Sequence, residues 1–405
     1  MHLCRLAMLA ALVPLAGLCG RCGAAEPQWR HLSSKTGDLP ALGTSPEQTA
    51  AVIADLDKSG RNGFVLGFRV KAPALVWYRP TATGWDRYVI EKEFLTIEAG
   101  GAVWDIDGDA YPDLVFGGDW QSNFVWWWRN PGRDWKPDVS WERHTIKKTG
   151  KTQHHDQCIA DFKGSGKPQL AYWNQGAKTL FVADIPANPR QVDQWPAQQV
   201  FTGGAGEEAG KYAEGMSAYD VDGDGHPEIL AGNHLFKYVG DGKWSATKIG
   251  DMGGLIFAGR FIKDSKYPQI VIAPGDGSGP VKWYECRGDP LKTETWTGHD
   301  LVGRKMVHPH SLQVADIDHD GNLDIFVAEM AQWSGNKVDN PNAQAFIFYG
   351  DGKGGFRKTV FQTGMGFHEA RVADLNGDGL PDILSKPYHW DTPRLDIWLQ
   401  TPPAR

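Results

Sequence analysis

The chain has 405 residues, a formal net charge of −7, 49 glycines and 18 tryptophans. Its acidic balance argues against a nucleic-acid partner, because neutralising phosphates requires clustered lysine and arginine. Five cysteines are too few for disulfide bonds to stabilise a chain of this length, so burial of apolar surface must hold the fold together. The many glycines and tryptophans favour short strands joined by tight turns.

The first 25 residues have the pattern of a secretory signal peptide. The apolar stretch from Leu6 to Leu18 is too short to cross a bilayer, and the small residues up to Ala25 predict cleavage there. Residues 26–405 then form one mature, secreted or periplasmic domain. Removing residues 1–25 takes away two arginines and no acid, which changes the net charge from −7 to −9. No other segment is apolar over a membrane-spanning length, so we do not expect an integral membrane protein.

The mature chain repeats one phrase seven times, and a fixed period of tens of residues is typical of repeat architectures. The phrase is a strand-like run, an anchor residue, a polar glycine-containing loop and three further strand-like runs. The anchors are Asp55, Asp105, Asp161, Asp220, Arg260, Asp316 and Asp374. Four antiparallel strands per repeat predict a propeller blade, so the fold class is all-β, a seven-bladed β-propeller.

The last repeat ends at Leu395–Gln400 without a fourth strand. The mature chain begins with a spare strand at Trp29, whose sequence is similar to that of the fourth strand at Trp141. We therefore expect the N-terminal strand to complete the last blade and close the ring, which removes exposed sheet edges.

Four of the loops place acids at alternate positions of a turn. The sets are Asp105, Asp107, Asp109 and Asp113; Asp220, Asp222, Asp224 and Glu228; Asp316, Asp318, Asp320 and Asp324; and Asp374, Asn376, Asp378 and Asp382. Oxygens arranged in this way converge on one point, as Ca²⁺ requires. The alternative is an acidic turn without an ion. The loops after Asp55, Asp161 and Arg260 have lost acids and are predicted to bind none.

In this strand–turn–strand setting the acidic loops resemble the FG-GAP or VCBS repeat, a family of calcium-binding propeller repeats. The resemblance covers the whole mature chain. It implies that Ca²⁺ stabilises the fold and takes no part in chemistry.

A second cluster is predicted at the opposite end of the inner strands. The residues six positions before the anchors are Thr49, Ala99, His155, Glu214, Gly254, His310 and His368. Because seven inner strands surround one axis, the three histidines and the glutamate are predicted to converge. They form a candidate site for a divalent transition metal such as Zn²⁺ or Mn²⁺. The alternative is a solvated polar channel lining.

Loops between the second and third strands return to the same mouth and carry the aromatic, amide and charged residues that bind sugars. The predicted substrate-binding residues are Trp120, Asn174, Gln332, Trp333, Lys386 and Trp390. Candidates for the catalytic base are His154, His308, His234, His389 and Tyr388, and Arg69 is a candidate for holding an acidic group. The alternative for some tryptophans is packing between blades, which we expect for Trp173.

Two functions remain open. The first is a metal-dependent carbohydrate lyase or dehydratase acting by β-elimination on an acidic or keto sugar or polysaccharide, because removing a proton beside a carbonyl needs a cation and a base. The second is a non-catalytic, calcium-stabilised propeller that binds a glycan or a protein, as integrin-type FG-GAP propellers do. A hydrolase is not favoured, since no carboxylate pair is placed at glycosidase separation. The oligomeric state stays open.

The first function is supported by a resemblance. Secreted propellers with histidine-rich mouths are similar to ulvan lyases and related polysaccharide lyases. The runs starting at Val307 and Phe367 also resemble the propeller domain of aldos-2-ulose dehydratase. The resemblance implies an elimination reaction on a carbohydrate.

Overall fold

The structure is a computed structural model that describes residues 26–137, 139–203 and 214–401. The predicted signal peptide, residues 1–25, lies outside this range. The described chain forms seven four-stranded antiparallel sheets arranged as a β-propeller, which confirms the predicted fold class. Single-turn 3₁₀ helices precede the fourth strands of three blades in the described ranges, at Gly132–Asp134, Pro189–Gln191 and Thr293–Thr295. Among the described residues, no helix has the length and apolar character needed to cross a bilayer.

The blades follow one another along the chain, each running from the inside of the ring to the outside. Blade 1 contains β2 (Gln48–Ala54), β3 (Gly63–Phe68), β4 (Leu75–Pro80) and β5 (Trp85–Glu91). Blade 2 contains β6 (Ala102–Trp104), β7 (Asp113–Gly117), β8 (Val125–Arg129) and β9 (Glu142–Lys147). Blade 3 contains β10 (Gln157–Ala160), β11 (Gln169–Asn174), β12 (Thr179–Asp184) and β13 (Ala197–Thr202). Blade 4 contains β14 (Met216–Tyr219), β15 (Glu228–Ala231), β16 (His234–Gly240) and β17 (Lys243–Lys248).

The last three blades carry two small additions. Blade 5 contains β18 (Leu255–Gly259), β19 (Gln269–Ala273), β21 (Lys282–Cys286) and β22 (Trp296–Asp300). Blade 6 contains β24 (Ser311–Ala315), β25 (Asp324–Ala328), β28 (Gln344–Gly350) and β29 (Phe356–Thr363). Blade 7 contains β30 (His368–Ala373), β31 (Asp382–Lys386), β32 (Asp396–Thr401) and β1 (Gln28–Ser33). The additions are the two-stranded sheets of β20 (Ser278–Gly279) with β23 (Met306–Val307) and β26 (Trp333–Ser334) with β27 (Lys337–Val338).

The ring closes as predicted. The N-terminal strand β1 pairs antiparallel with β32, with Trp29 opposite Gln400 and His31 opposite Trp398. The inner strands β2, β6, β10, β14, β18, β24 and β30 each contact the next one, and β30 contacts β2. Seven inner strands therefore surround one axis.

Apolar side chains between neighbouring blades hold the ring together. Second strands are buried on both faces, as in β3 and β7, because each lies inside its own sheet and between two others. Trp173 is 1% exposed and packs with Phe162 and with Phe236 of blade 4, which confirms its predicted role between blades. Full burial of a side chain such as Phe236 stabilises the fold by about 1.5–3 kcal/mol.

Candidate functional site

Left-handed backbone turns bring the predicted residues to one mouth of the ring. In several blades the residue that follows the predicted ligand position, six residues before the anchor, has positive φ. The values are 48° at Asp156, 74° at Gly215 and 54° at Glu369. This conformation is costly for a residue with a side chain and persists only where other contacts hold it. Asp156 accepts a hydrogen bond from the Gly215 backbone N–H at 2.7 Å, and Glu369 forms an ion pair with Arg371.

A polar cavity of about 220 Å³ opens at this mouth. Its wall is formed by Arg69, Glu98, Gln153, His155, Asp276, His310, Gln332, His368 and Tyr388. These residues come from blades 1, 2, 3, 5, 6 and 7, so the cavity exists only when the ring is closed.

Glu214, Asp276 and His310 form a cluster of possible ligand atoms at the cavity. One ligand atom from each lies within 4.8 Å of the others. His310 Nε2 is 3.6 Å from Asp276 Oδ1 and 3.8 Å from Glu214 Oε2, distances too long for hydrogen bonds. They suit two ligands that each lie about 2.0–2.2 Å from a shared Zn²⁺. The donor set therefore fits a divalent cation.

The other side of the His310 ring supports the same assignment. His310 Nδ1 is buried without a hydrogen-bond partner and lies 3.6 Å from Glu369 Oε1. A carboxylate facing one imidazole nitrogen is typical of metal-ligating histidines, because it directs the lone pair of the other nitrogen towards the ion.

Asp276 was not part of the predicted ligand set. The corresponding blade 5 residue on the inner strand is Gly254, where a Cβ atom would lie 2.0 Å from the Ala273 carbonyl oxygen and 2.6 Å from Pro274 C. The missing side chain lets the segment ending at Asp276 approach the axis, and the Asp276 backbone N–H donates to Glu214 Oε2 at 2.8 Å. The signal in the sequence was Gly254 itself, a residue without a side chain at the position where other blades carry a predicted ligand.

His155 and His368 complete the group of four predicted ligands, and the structure brings all four together. The His310 ring lies 5.5 Å from that of His155 and is stacked on that of His368 at 4.3 Å. His155 Nδ1 is hydrogen-bonded to Asp156 Oδ2. Burial disfavours a charged imidazole, but Asp156 outweighs it and raises the pKa of His155 well above its ordinary value. His155 thus forms a carboxylate–imidazole dyad whose Nε2 has no such partner.

Lys386 lies behind His368 and is only 1% exposed. Its Nζ is 2.7 Å from the Gln48 carbonyl oxygen, 3.2 Å from the His368 carbonyl oxygen and 3.2 Å from His368 Nδ1. Three acceptors thus surround the amine, and burial lowers the pKa of Lys386 well below its ordinary value. Lys386, a predicted substrate-binding residue, therefore supports the wall and does not line the cavity.

Arg69 lines the cavity but is already paired. It forms an ion pair with Glu98 and lies 3.4 Å from Asp119, and it donates to the Tyr388 hydroxyl at 2.6 Å. Its guanidinium also lies 4.9 Å from the Trp120 ring. A free anionic ligand would have to compete with these carboxylates. Burial raises the pKa of Tyr388, so its hydroxyl stays protonated.

Several predicted residues lie on the rim of the cavity. His308 Nε2 is 3.0 Å from Asp339 Oδ2, and His389 Nδ1 accepts from the Trp333 backbone N–H at 3.1 Å. Gln332 lines the cavity and lies 3.3 Å from His308. Trp120 is 51% exposed and Trp333 48% exposed, while Trp390 is half-buried. The rim thus presents flat aromatic surface to solvent.

Three other predicted residues lie away from the cavity wall. His154 is fully buried and lies 3.2 Å from the Asn174 side-chain nitrogen, and burial lowers its pKa to about 3. Asn174 also donates to the Lys151 carbonyl oxygen. His234 packs against Phe201 and Phe236. These contacts are those of structural residues.

The acidic loops lie at the other end of the inner strands. The final acids Asp113, Asp324 and Asp382 are fully buried, and each accepts two or more backbone N–H bonds that tie the loop to the sheet. Burial raises the pKa of each of the three to about 7. Carboxylate oxygens gather within 4.8 Å in the loops of blades 2, 4 and 6.

The fit to Ca²⁺ differs between these loops. In blade 6, Asp316 Oδ1 is buried without a hydrogen-bond partner, and the same holds for Asp105 Oδ1 in blade 2. An orphaned buried carboxylate oxygen fits a cation site. In blade 4 the ammonium of Lys237 contacts the carboxylates, so that loop does not fit the ion. In blade 2 the Arg129 guanidinium lies 2.6 Å from Asp107 and 2.6 Å from Asp109, so two of the four predicted ligands there are also taken by a basic side chain.

Comparison with known proteins supports the fold alone. No family model matches the chain, and no curated protein matches its sequence. Among solved structures the chain is similar to BBS1N in complex with ARL6DN, with a TM-score of 0.53, 12% identity and coverage of 93% of this chain and 98% of that one. It is also similar to the rhamnogalacturonan lyase YesW, with a TM-score of 0.50, 14% identity and coverage of 89% and 74%. A lectin of Agrocybe aegerita that recognises non-reducing terminal N-acetylglucosamine has a TM-score of 0.49, 17% identity and coverage of 83% and 88%. The distant neighbours in fold therefore include a polysaccharide lyase.

Proposed function

We propose that this chain is a secreted, metal-dependent carbohydrate lyase or dehydratase that acts by β-elimination at the channel mouth. The observation that carries the proposal is the convergence of Glu214, Asp276 and His310 beside the His155–Asp156 dyad. A cation and a base side by side are what proton abstraction next to a carbonyl requires.

The charges around the cavity support a bound cation. The carboxylates are Glu47, Asp119, Glu98, Asp156, Glu214, Asp276 and Glu369, and the basic groups are Arg69, Arg371 and Lys386. Seven acids, of which Asp276 is 56% exposed and Glu47 partly exposed, outnumber the three basic groups and His155, and an excess of negative charge in a largely buried site is costly without a counterion. Glu214, Asp276 and His310 would hold Zn²⁺ or Mn²⁺, with His155 beside them.

When bound, the cation would stabilise negative charge on a carbonyl or carboxylate oxygen of the sugar. His155 would take the proton at Nε2, because Asp156 holds the opposite nitrogen and fixes the ring. A cation at the neighbouring ligands also disfavours the charged form of His155. The protonated hydroxyl of Tyr388 would donate a proton to the leaving oxygen.

The volume of the cavity limits the size of the ligand that it can hold. Pockets for drug-sized ligands measure about 300–1,000 Å³, and this one measures about 220 Å³. It suits one sugar unit, with any further units lying across the rim on Trp120 and Trp333. The fold likeness to a rhamnogalacturonan lyase agrees with a carbohydrate ligand.

The test combines product formation with metal content. Purified protein is incubated with acidic polysaccharides and with keto sugars, and the ultraviolet absorbance of unsaturated product is followed while bound metals are measured by elemental analysis. We expect His310→Gln to lose both metal and product, and His155→Gln to lose product. His299→Gln is the matched control, because this imidazole stacks on Trp283 outside the cavity. Wild-type protein that yields no product from either substrate class contradicts the proposal.

The half-exposed Trp120 and Trp333 favour a second function, a glycan-binding propeller without catalysis. Sugar binding without unsaturated product, reduced in Trp120→Ala, would indicate this function.

We also propose structural Ca²⁺ in the loops of blades 6 and 7, which agrees with a location outside the cytoplasm. The buried, unpartnered oxygen of Asp316 supports it. Loss of bound calcium in Asp316→Asn would test the blade 6 site.

A further inference from the structure

One position in each acidic loop faces one position on the third strand of the same blade. The loop position is two residues after the anchor. The strand position is found from the first apolar residue of the second strand, which pairs with a residue of the third strand; the strand position is the next residue along the third strand. In blade 4 Ile229 pairs with Phe236, so the strand position is Lys237. In blade 6 Tyr349 follows Phe348, which pairs with Ile325. The two positions can therefore be compared from blade to blade.

In blade 4 these positions hold Asp222 and Lys237. Lys237 Nζ lies 2.6 Å from Asp222 Oδ2, 2.6 Å from Asp224 Oδ2 and 3.1 Å from Glu228 Oε1. The Lys237 side chain is only 16% exposed. Asp220 is satisfied separately, since its two oxygens accept the backbone N–H groups of Gly223 and Gly225. One ammonium thus serves three of the four acids that were predicted to bind Ca²⁺.

In blade 2 the strand position holds Arg129, which lies 2.6 Å from Asp107 and 2.6 Å from Asp109, so this blade also carries a basic side chain on its acids.

Blades 1 and 3 likewise show that this position favours an ion pair. In blade 1 Asp57 lies 2.6 Å from Arg79. In blade 3 the signs are reversed, with Lys163 in the loop 2.7 Å from Asp184 on the strand. A reversed pair keeps the attraction while abolishing the acidic loop, so the ion pair is itself a stabilising device at this position.

Blade 6 is the contrasting case. Asp318 lies beside Tyr349, and within the described chain no lysine or arginine forms an ion pair with Asp318, since Arg357 acts on it only at longer range. Burial and the neighbouring Asp320 raise the pKa of Asp318, as expected for acids that lack a counterion. Blades 4 and 6 therefore have the same spacing of acids, but Lys237 neutralises those of blade 4 and no paired lysine or arginine neutralises Asp318.

We propose that the Lys237 ammonium takes the place of the calcium ion in the blade 4 loop, which is folded and neutralised without metal. An ammonium held on the adjacent strand has a high effective concentration that does not depend on the medium. It also satisfies the same oxygens that a calcium ion would bind. Blade 4 would then keep its loop closed when calcium is removed.

The test counts calcium ions per chain. Full-length mature protein is stripped with chelator, dialysed against calcium chloride, and analysed for bound calcium. We expect Asp222→Asn to bind as many ions as the wild type, and Lys237→Met to bind one more, because three carboxylates are freed. Asp318→Asn is the matched control in blade 6 and is expected to bind one fewer.

Two results would overturn the inference: one ion fewer in Asp222→Asn, or an unchanged count in Lys237→Met. Thermal unfolding in chelator gives a second measurement should a variant fold poorly. Lys237→Met is expected to lower Tm in chelator and to recover it with calcium chloride. Absence of that recovery counts against the inference. None of these measurements depends on the proposed lyase activity.

Discussion

Asp276 Oδ1 lies 3.6 Å from His310 Nε2, although the two residues belong to different blades and Asp276 was not predicted as a ligand. The pair joins an inner-strand residue to a loop that reaches the axis because Gly254 has no side chain.

The first prediction concerns Asp276 itself. We expect Asp276→Asn to weaken Zn²⁺ or Mn²⁺ binding by about tenfold or more, since a neutral amide removes one charged ligand next to His310. Calorimetric titration of metal-free protein measures this. Asp251→Asn changes an exposed acid of the same blade and should leave the affinity unchanged. Equal affinities in both variants would remove Asp276 from the ligand set.

The second prediction concerns the glycine that admits the loop. We expect Gly254→Ala to lower the free energy of unfolding by about 1–3 kcal/mol, as overpacking does, because the new methyl group would meet Ala273 O at 2.0 Å. Metal affinity should fall as well, since Asp276 is pushed outward. Urea unfolding and metal titration measure the two effects. Gly84→Ala, with no atom within 4 Å of the added Cβ, is the control.

The third prediction concerns pH and calcium. Burial raises the pKa values of Asp113, Asp324 and Asp382 to about 7 in the metal-free fold, from the ordinary aspartate value of 3.8. Between about pH 4 and pH 7 the folded state binds more protons than the unfolded state, so its stability falls as pH rises. In chelator we expect Tm to fall by a few degrees from pH 5 to pH 8.

Calcium chloride should reverse this trend, because a bound cation favours the ionised carboxylates. Tm is then expected to rise more on calcium addition at pH 8 than at pH 5. A calcium response that is the same at both pH values would show that these acids are not coupled to ion binding.

The fourth prediction concerns the rim. We expect Trp120→Ala and Trp333→Ala each to weaken binding of an oligosaccharide by about three- to tenfold, the loss of roughly 0.5–1.5 kcal/mol of stacking. Binding of a single sugar unit should change less, since it occupies the cavity. Trp104→Ala removes a tryptophan that is 39% exposed at the other end of an inner strand, and serves as control. Equal losses for all three variants would indicate a general effect on stability.

The repeats made the fold predictable, but the site only in part. Seven anchors and the spare strand at Trp29 specified both the blade number and the closure. The position of His310 followed from counting, because every inner strand meets the axis in the same register. Counting also placed His155, which lies in the cavity wall, but spacing could not show that the adjacent His154 lies away from it.

Asp276 and Lys237 required the structure for different reasons. The first reaches the site through a loop whose path depends on a missing side chain. The second neutralises acids that precede it by 9 to 15 positions, from a strand on which a lysine is unremarkable. The role of Lys237 could have been predicted by comparing the charge of the residue at the strand position across the seven repeats. In blade 3 the charges of the loop and strand residues are reversed, which indicates a pair.

The pairing of β1 with β32 has a consequence for biosynthesis. Blade 7 takes strands from both ends of the described chain, so the ring cannot close until Asp396–Thr401 has been synthesised. Until then the growing chain is an open arc with unpaired edges at β1 and at its newest blade, the state in which sheet proteins aggregate most readily. Since the cavity wall draws on blades at both ends of that arc, the binding site is completed in the same step as the fold.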